Sequence, residues 1–252
     1  MAYIDCKRYA QEILDRVKHV PNKKTLAVLS VGDDPASQSY IKGKIRDCQD
    51  CGIPYLHIQC ARGPLADCIA RLNTDPAVGG VIIQLPLPTG MDEERYLQRV
   101  DRAKDVDGFR SDSPFTPCTP EGIMHLLYCE VGNLTGKTAL VIGRGRLVGK
   151  PMAQMLLDDN CTVIIAHSQT RNLQELLRIA DIVVSGVGKP NTVNLRYCKP
   201  GAVVIDAGIS RTKDGKLVGD CFGSHEGLKV TPVPGGVGLM TRAMLMRHMA
   251  TR

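Results

Sequence analysis

Thr138-Ala139-Leu140-Val141-Ile142-Gly143-Arg144-Gly145-Arg146-Leu147-Val148-Gly149-Lys150-Pro151 decides how this chain is read. A short apolar run ends in a glycine-rich turn, and the pattern from Met152 to Leu157 beyond it is helical, so the stretch predicts strand, turn, helix. Glycine lets a backbone bend tightly and approach a phosphate with no Cβ in the way. The helix that follows offers free N–H groups and the positive end of its dipole. The spacing is G-x-G-x-x-x-G, where the usual dinucleotide fingerprint is G-x-G-x-x-G. A glycine-rich strand-to-helix turn also serves packing in α/β proteins, so the stretch supports a phosphate cradle and a packing turn alike.

Downstream, strands are expected at 162–166, 182–185 and 202–206, with helices at 149–158 and 172–179, the alternation of a Rossmann-like half. Upstream, a helix over 5–18 ends at Pro21 and an apolar strand follows at 25–31. Gly32-Asp33-Asp34-Pro35 then offers Asp34 as an N-cap with Pro at the first helical position of a helix that Gly52 stops. A strand at 55–59, a helix at 64–72 and a strand at 81–85 complete a second alternating region, which predicts a parallel sheet with helices on its faces. Tyr40 and Lys44, four residues apart on one helix, share a face. Gln84 falls at a strand's carboxyl end, where ligands of such sheets bind, just before Pro86-Leu87-Pro88. Helices are also expected at 92–100 and 121–128, and the Ser-, Pro- and Thr-rich stretch 111–120 between them reads as an inter-domain connection. The last dozen residues read as a helix.

Composition narrows the function. With 43% hydrophobic and 23% charged residues and no apolar run near the ~20 residues of a membrane span, the chain reads as a globular protein, without a membrane partner. Its N-terminus has no apolar signal-peptide core, so a cytoplasmic location is expected. The net charge of +6 is dispersed, and three Phe, seven Tyr and no Trp are poor material for stacking nucleic-acid bases. The ten cysteines read as reduced, mostly buried thiols. Cys48 and Cys51 form a C-x-x-C at a helix end, with no second pair at zinc-ribbon spacing, and no metal site is expected.

Taken together, Ser39-Tyr40-x-x-x-Lys44, Val81-Ile82-Ile83-Gln84-Leu85-Pro86-Leu87-Pro88, Lys104-Asp105-Val106-Asp107-Gly108-Phe109, Pro117-Cys118-Thr119-Pro120, Gly143-Arg144, Val148-Gly149-Lys150-Pro151-Met152 and Thr231-Pro232-Val233-Pro234-Gly235-Gly236-Val237-Gly238 closely resemble the bifunctional methylenetetrahydrofolate dehydrogenase/methenyltetrahydrofolate cyclohydrolase (FolD) family. The resemblance runs in order over nearly the whole chain. It implies two α/β domains: a folate-binding catalytic domain (1–118, completed by the returning C-terminal helix 239–252) and a Rossmann-like NADP-binding domain (119–238). It also implies NADP-linked oxidation of 5,10-methylenetetrahydrofolate, hydrolysis of the methenyl product to 10-formyltetrahydrofolate, a role in one-carbon metabolism and purine biosynthesis, one cleft between the domains, and a homodimer.

By that resemblance Lys44, Gln84 and Tyr40 are catalytic. Tyr40, Asp107, Pro234, Gly235 and Gly236 bind the tetrahydrofolate derivative, and Gly143, Arg144, Gly145, Val148, Gly149, His167, Ser168 and Ile209 bind NADP. The chemistry agrees: a lysine amine held by Gln84 can move protons, Tyr40 offers a flat face, and an ionised Asp107 can accept two hydrogen bonds from a pterin edge. No acid lies in 164–171 to hold ribose hydroxyls, whereas Arg144 and Arg171, with Ser168, suit a 2′-phosphate, so NADP is expected over NAD. Three features depart from the family pattern: only seven residues, Arg110 to Thr116, separate Phe109 from Pro117, which suggests a more open wall; Gly145 replaces a Ser; and Leu239 replaces a Pro. Two other readings are a non-catalytic NADP- or folate-binding protein and a shikimate-type dehydrogenase.

Overall fold

The computed structural model describes residues 1–21 and 23–252. In chain order the first elements are β1 (Ala2–Tyr3), α1 (Cys6–Lys18), β2 (Thr25–Val31), α2 (Pro35–Asp50), β3 (Tyr55–Cys60), α3 (Leu65–Thr74), β4 (Val78–Ile83) and α4 (Glu93–Leu97). Then come α5 (Cys118–Glu130), β5 (Thr138–Ile142), α6 (Gly149–Asp158), β6 (Thr162–Ala166), α7 (Leu173–Ile179), β7 (Ile182–Ser185), β8 (Val193–Asn194) and β9 (Val203–Asp206). The chain closes with β10 (Ser210–Arg211), β11 (Leu217–Val218), β12 (Cys221–Phe222), β13 (Lys229–Val230) and α8 (Val237–Met249). It divides into two compact units, one of residues 11–118 and 242–252, the other of residues 1–10 and 119–241.

The first unit is built on a parallel three-stranded sheet, β3-β2-β4. Parallel strands need crossover helices, and covering both faces makes the strands apolar throughout: every residue of β4 and all but the first of β2 are buried. On one face Ala27, Leu29, Val81 and Ile83 pack with Leu65, Ile69 and Leu72 of α3. The strand expected at 81–85 begins three residues earlier and ends at Ile83. Gly79 and Gly80, outside the expected strand, lie inside β4, and a side chain at Gly80 would strike Val106 and the Met249 sulfur of α8. Asp34 caps α2 as its sequence suggests, its carboxylate accepting from the Ser37 N–H at 2.7 Å. Cys48 and Cys51 are buried in this unit, and burial pushes their thiols up to about 12 and about 11.

The second unit carries a six-stranded sheet in the order β1-β13-β9-β7-β5-β6, parallel at every pairing. Its central strands have the expected limits to within a residue. The two-residue strands β1 and β13 have no legible sequence signal and join the sheet through main-chain pairing: Ala2 N–H donates to Leu228 O at 2.8 Å and Ile4 N–H to Val230 O at 2.9 Å. No helix among the described residues is long and apolar enough to cross a membrane.

Candidate active site

Register decides which loops meet in the six-stranded unit. Ile142 lies opposite both Ala166 and Ser185, and Ser185 lies opposite Asp206. The segments that follow these residues therefore leave the carboxyl edge side by side: Gly143-Arg144-Gly145, His167-Ser168, Gly186-Val187 and Ala207-Gly208-Ile209. A parallel sheet binds ligands at this edge. All the residues expected to bind NADP are brought to it, and Pro234-Gly235-Gly236 follows β13 of the same sheet.

The glycine turn has little spare room. Gly143 has φ of +112°, and a Cβ there would lie 3.1 Å from Val187 Cγ1 and 3.2 Å from Gly186 O. A Cβ on Gly149 would run into the Gly143 carbonyl, so the first turn of α6 sits directly on the glycine turn. Gly145 is different, because its missing side chain would meet nothing within 4 Å. Packing therefore does not explain its replacement of a serine. Arg144, Ser168 and Arg171 are exposed, and none of the three is engaged by another described residue. Ser168 does not cap α7, whose N-cap is Asn172, and the turn before it is closed by His167 N–H to Thr170 Oγ1 at 2.8 Å. A helix N-terminus, a turn that excludes Cβ atoms and unengaged cationic and hydroxyl groups fit the phosphates of a dinucleotide.

In the first unit α2 places Tyr40 and Lys44 one turn apart, and Lys44 Nζ donates to Gln84 Oε1 at 3.2 Å, both side chains being buried. The amide is oriented from its other end, because Gln84 Nε2 donates to Leu85 O at 2.8 Å and leaves Oε1 to face the lysine. Main-chain pairing fixes this residue just past β4, where its own N–H donates to Leu29 O at 2.8 Å. Asp107 is buried nearby. Burial pushes its carboxyl up from the ordinary value, while the charge of Lys44 pulls it down. The ionised acceptor expected from the sequence is thus opposed by desolvation and favoured by Lys44. Burial likewise raises the Tyr40 hydroxyl, against the pull of Arg242.

The short segment 110–116 is tied into this unit. The Asp105 carboxylate accepts from the Phe109 and Arg110 N–H groups at 3.2 and 2.8 Å, and Ser113 Oγ donates to Asp105 O at 3.1 Å. Phe115 stacks on His248 with centroids 4.5 Å apart, under the guanidinium of Arg252 at 4.3 Å. The short loop is thus held by its own unit, through Asp105 at one end and Phe115 at the other.

Models of the two domains of the tetrahydrofolate dehydrogenase/cyclohydrolase family match the chain, the catalytic domain over residues 4–107 and the NAD(P)-binding domain over 117–252. The chain belongs to this family. It is 46% identical over 271 aligned residues to the bifunctional protein FolD 2 of Ectopseudomonas mendocina, covering 97% of this chain and 89% of that protein. The crystal structure of the bifunctional FolD methylenetetrahydrofolate dehydrogenase/cyclohydrolase of Campylobacter jejuni superposes with a TM-score of 0.94 at 37% identity, covering 100% of this chain and 98% of that one. The FolD of Trypanosoma brucei, solved with NADP cofactor and an inhibitor, gives a TM-score of 0.92 at 29% identity, covering 99% and 96%. Family membership makes the chain an enzyme with dehydrogenase and cyclohydrolase activities and a dinucleotide cofactor.

One feature of the lysine's surroundings was not read from the sequence. Asp47, one turn beyond Lys44 on α2, is buried with Arg242 of α8, Oδ2 to Nε 2.9 Å, within ion-pair distance but not aligned as a hydrogen bond. A side chain at Gly43 would collide with this guanidinium. The available signal was an acid at helical spacing from Lys44; its partner lies 195 positions later. Removing one member of a buried pair leaves an uncompensated charge, so Asp47→Ala is expected to cost about 3 kcal/mol in urea unfolding. The Asp47→Ala/Arg242→Met double variant is expected to recover most of that loss, and equal losses in the single and double variants would show that the pair does not act as a unit.

Proposed function

We propose that the enzyme oxidises 5,10-methylenetetrahydrofolate to 5,10-methenyltetrahydrofolate with NADP and hydrolyses the product to 10-formyltetrahydrofolate, with Lys44 serving both steps. The observation that carries this reading is the buried Lys44–Gln84 hydrogen bond beside Asp107. We assign folate binding to Tyr40, Asp107 and the Pro234-Gly235-Gly236 loop, and NADP binding to Gly143, Arg144, Gly145, Val148, Gly149, His167, Ser168 and Ile209. The division of labour expected from the sequence, folate binding in residues 1–118 with 239–252 and cofactor binding in residues 119–238, differs from the compact units at the chain's start, because β1 pairs with β13 and residues 1–10 belong with 119–241.

When bound, NADP supplies the hydride acceptor. Loss of hydride from the methylene carbon leaves a cationic bridge between two nitrogens, to which water then adds. Lys44 Nζ can take a proton from that water and return it to the departing nitrogen. Held by Gln84 Oε1, it keeps its position through both steps. A buried Asp107 accepts donors of the pterin edge, and pairing with them offsets its desolvation.

General acid–base groups contribute about 10²–10⁴-fold, so Lys44→Met is expected to lower cyclohydrolase kcat by that order at saturating folate, while part of the hydride step survives. A raised KM with unchanged cyclohydrolase kcat would reduce Lys44 to substrate attraction. A charged hydrogen bond contributes about 1.5–3 kcal/mol, so Arg144→Ala is expected to cut the kcat/KM preference for NADP over NAD by about tenfold or more. An unchanged ratio would dissociate Arg144 from the 2′-phosphate.

The same reading includes a second copy of the chain. β6 ends the six-stranded sheet with an edge unpaired among the described residues, and Ile165 on it and Leu157 on α6 are 45% and 57% exposed. Such an edge is a template for strand pairing, and a two-fold axis there would bury both residues twice. Sedimentation is expected to give a homodimer for the wild type and a monomer for Ile165→Lys; a monomeric wild type would remove this part of the reading.

A further inference from the structure

Two buried carboxylates of the six-stranded unit, Asp206 and Asp220, have no part in the chemistry above. They interlock. Asp206, at the end of β9, accepts at Oδ1 from the Gly208 and Asp220 N–H groups, each at 3.0 Å, and at Oδ2 from the Cys221 N–H at 2.9 Å. Asp220 accepts at Oδ2 from Ser185 Oγ at 2.8 Å and the Val187 N–H at 2.9 Å, and at Oδ1 from the Lys189 N–H at 2.9 Å. A side chain at Gly208 would collide with the Asp220 carboxylate, and one at Gly219 with that of Asp206. Neither carboxylate has an ion-pair partner among the described residues; hydrogen-bond donors, most of them backbone N–H groups, compensate them.

The donors to Asp220 have one thing in common: all three lie within residues 185–189. This five-residue loop leaves β7 at the carboxyl edge and packs on the glycine turn. Val187 Cγ1 lies 3.1 Å from where a Gly143 Cβ would be, and Val148 Cγ1 3.1 Å from where a Gly186 Cβ would be. Its far end meets the segment carrying Ile209, through Ser210 Oγ donating to Gly188 O at 2.9 Å. We infer that Asp220 is a positioning residue for the dinucleotide: its carboxylate sets the course of the 185–189 loop against the glycine turn, and Asp206 holds Asp220 in place. The inference rests on the proposal that this turn takes NADP.

Asp220→Asn keeps the shape and replaces one acceptor oxygen by a donor. The Ser185 hydroxyl can turn to accept from an amide, but a backbone N–H cannot. Whichever way the amide faces, Val187 or Lys189 is left with a donor opposite. Displacing a binding loop by about 1 Å can cost up to 10²-fold. The variant is therefore expected to raise the KM for NADP by about tenfold and to lower dehydrogenase kcat, while cyclohydrolase turnover, which needs no dinucleotide, falls far less. An unchanged KM for NADP, or a proportional fall in both activities together with the melting temperature, would overturn the inference. If the variant does not fold, Ser185→Ala, which deletes one of the three donors, decides by the same split at smaller size. Arg144→Ala, assayed alongside, separates the two ideas. If it leaves NADP use unchanged, the turn reading is at fault. A normal Asp220→Asn beside an impaired Arg144→Ala defeats the positioning role alone.

Discussion

Parallel pairing is the constraint on which both units depend. Every strand pair in the three- and six-stranded sheets is parallel, so each main strand has to be followed by a crossover before the chain can pair again. The crossover helices cover the faces, which is why β2, β4, β5, β7 and β9 are almost wholly buried. The same rule gathers the loops after β5, β6, β7 and β9 at one edge. It brings residues as distant in sequence as Gly143 and Ile209 into one row, and it leaves Gln84 at the end of β4, one hydrogen bond from Lys44.

At that edge, space and charge are settled by different means. The glycine turn works by exclusion, since Gly149 packs on the Gly143 carbonyl and Val187 approaches Gly143. The loops around it are held by buried carboxylates whose oxygens are filled by N–H and O–H donors, so they resist displacement without a fixed cation. In the first unit the groups near the lysine are in electrostatic tension. Burial raises Asp107, and Lys44 opposes the rise. Asp47 is raised by burial and held back by Arg242. Groups so poised respond strongly to whatever displaces water from them.

The departures from the family pattern have distinct physical meanings. Gly145 removes a side chain where space is open, so it changes donors and not packing. Leu239 has the N–H that a proline lacks and donates it to Gly236 O at 3.0 Å, which ties the glycine loop to the start of α8. The shortened 110–116 loop trades length for an aromatic and cationic clamp of Phe115, His248 and Arg252.

Local chemistry was readable along the chain. Alternating apolar runs and helical periods placed the central strands, Asp34 and Pro35 marked the start of α2, and the glycine turn announced itself between β5 and α6. The helical spacing of Tyr40 and Lys44 and the position of Gln84 at a strand end were legible for the same reason: each depends on residues within a few positions of one another. What the sequence could not show depends on residues far apart. Two-residue strands such as β1 and β13 depend on partners elsewhere in the chain, Gly80 has to be a glycine because Val106 and Met249 crowd it, and Asp47 is made intelligible by Arg242. Burial of Asp107 and the interlock of Asp206 with Asp220 also belong to the tertiary structure, because desolvation and the supply of donors to a carboxylate are properties of a packed neighbourhood and not of a string of residues.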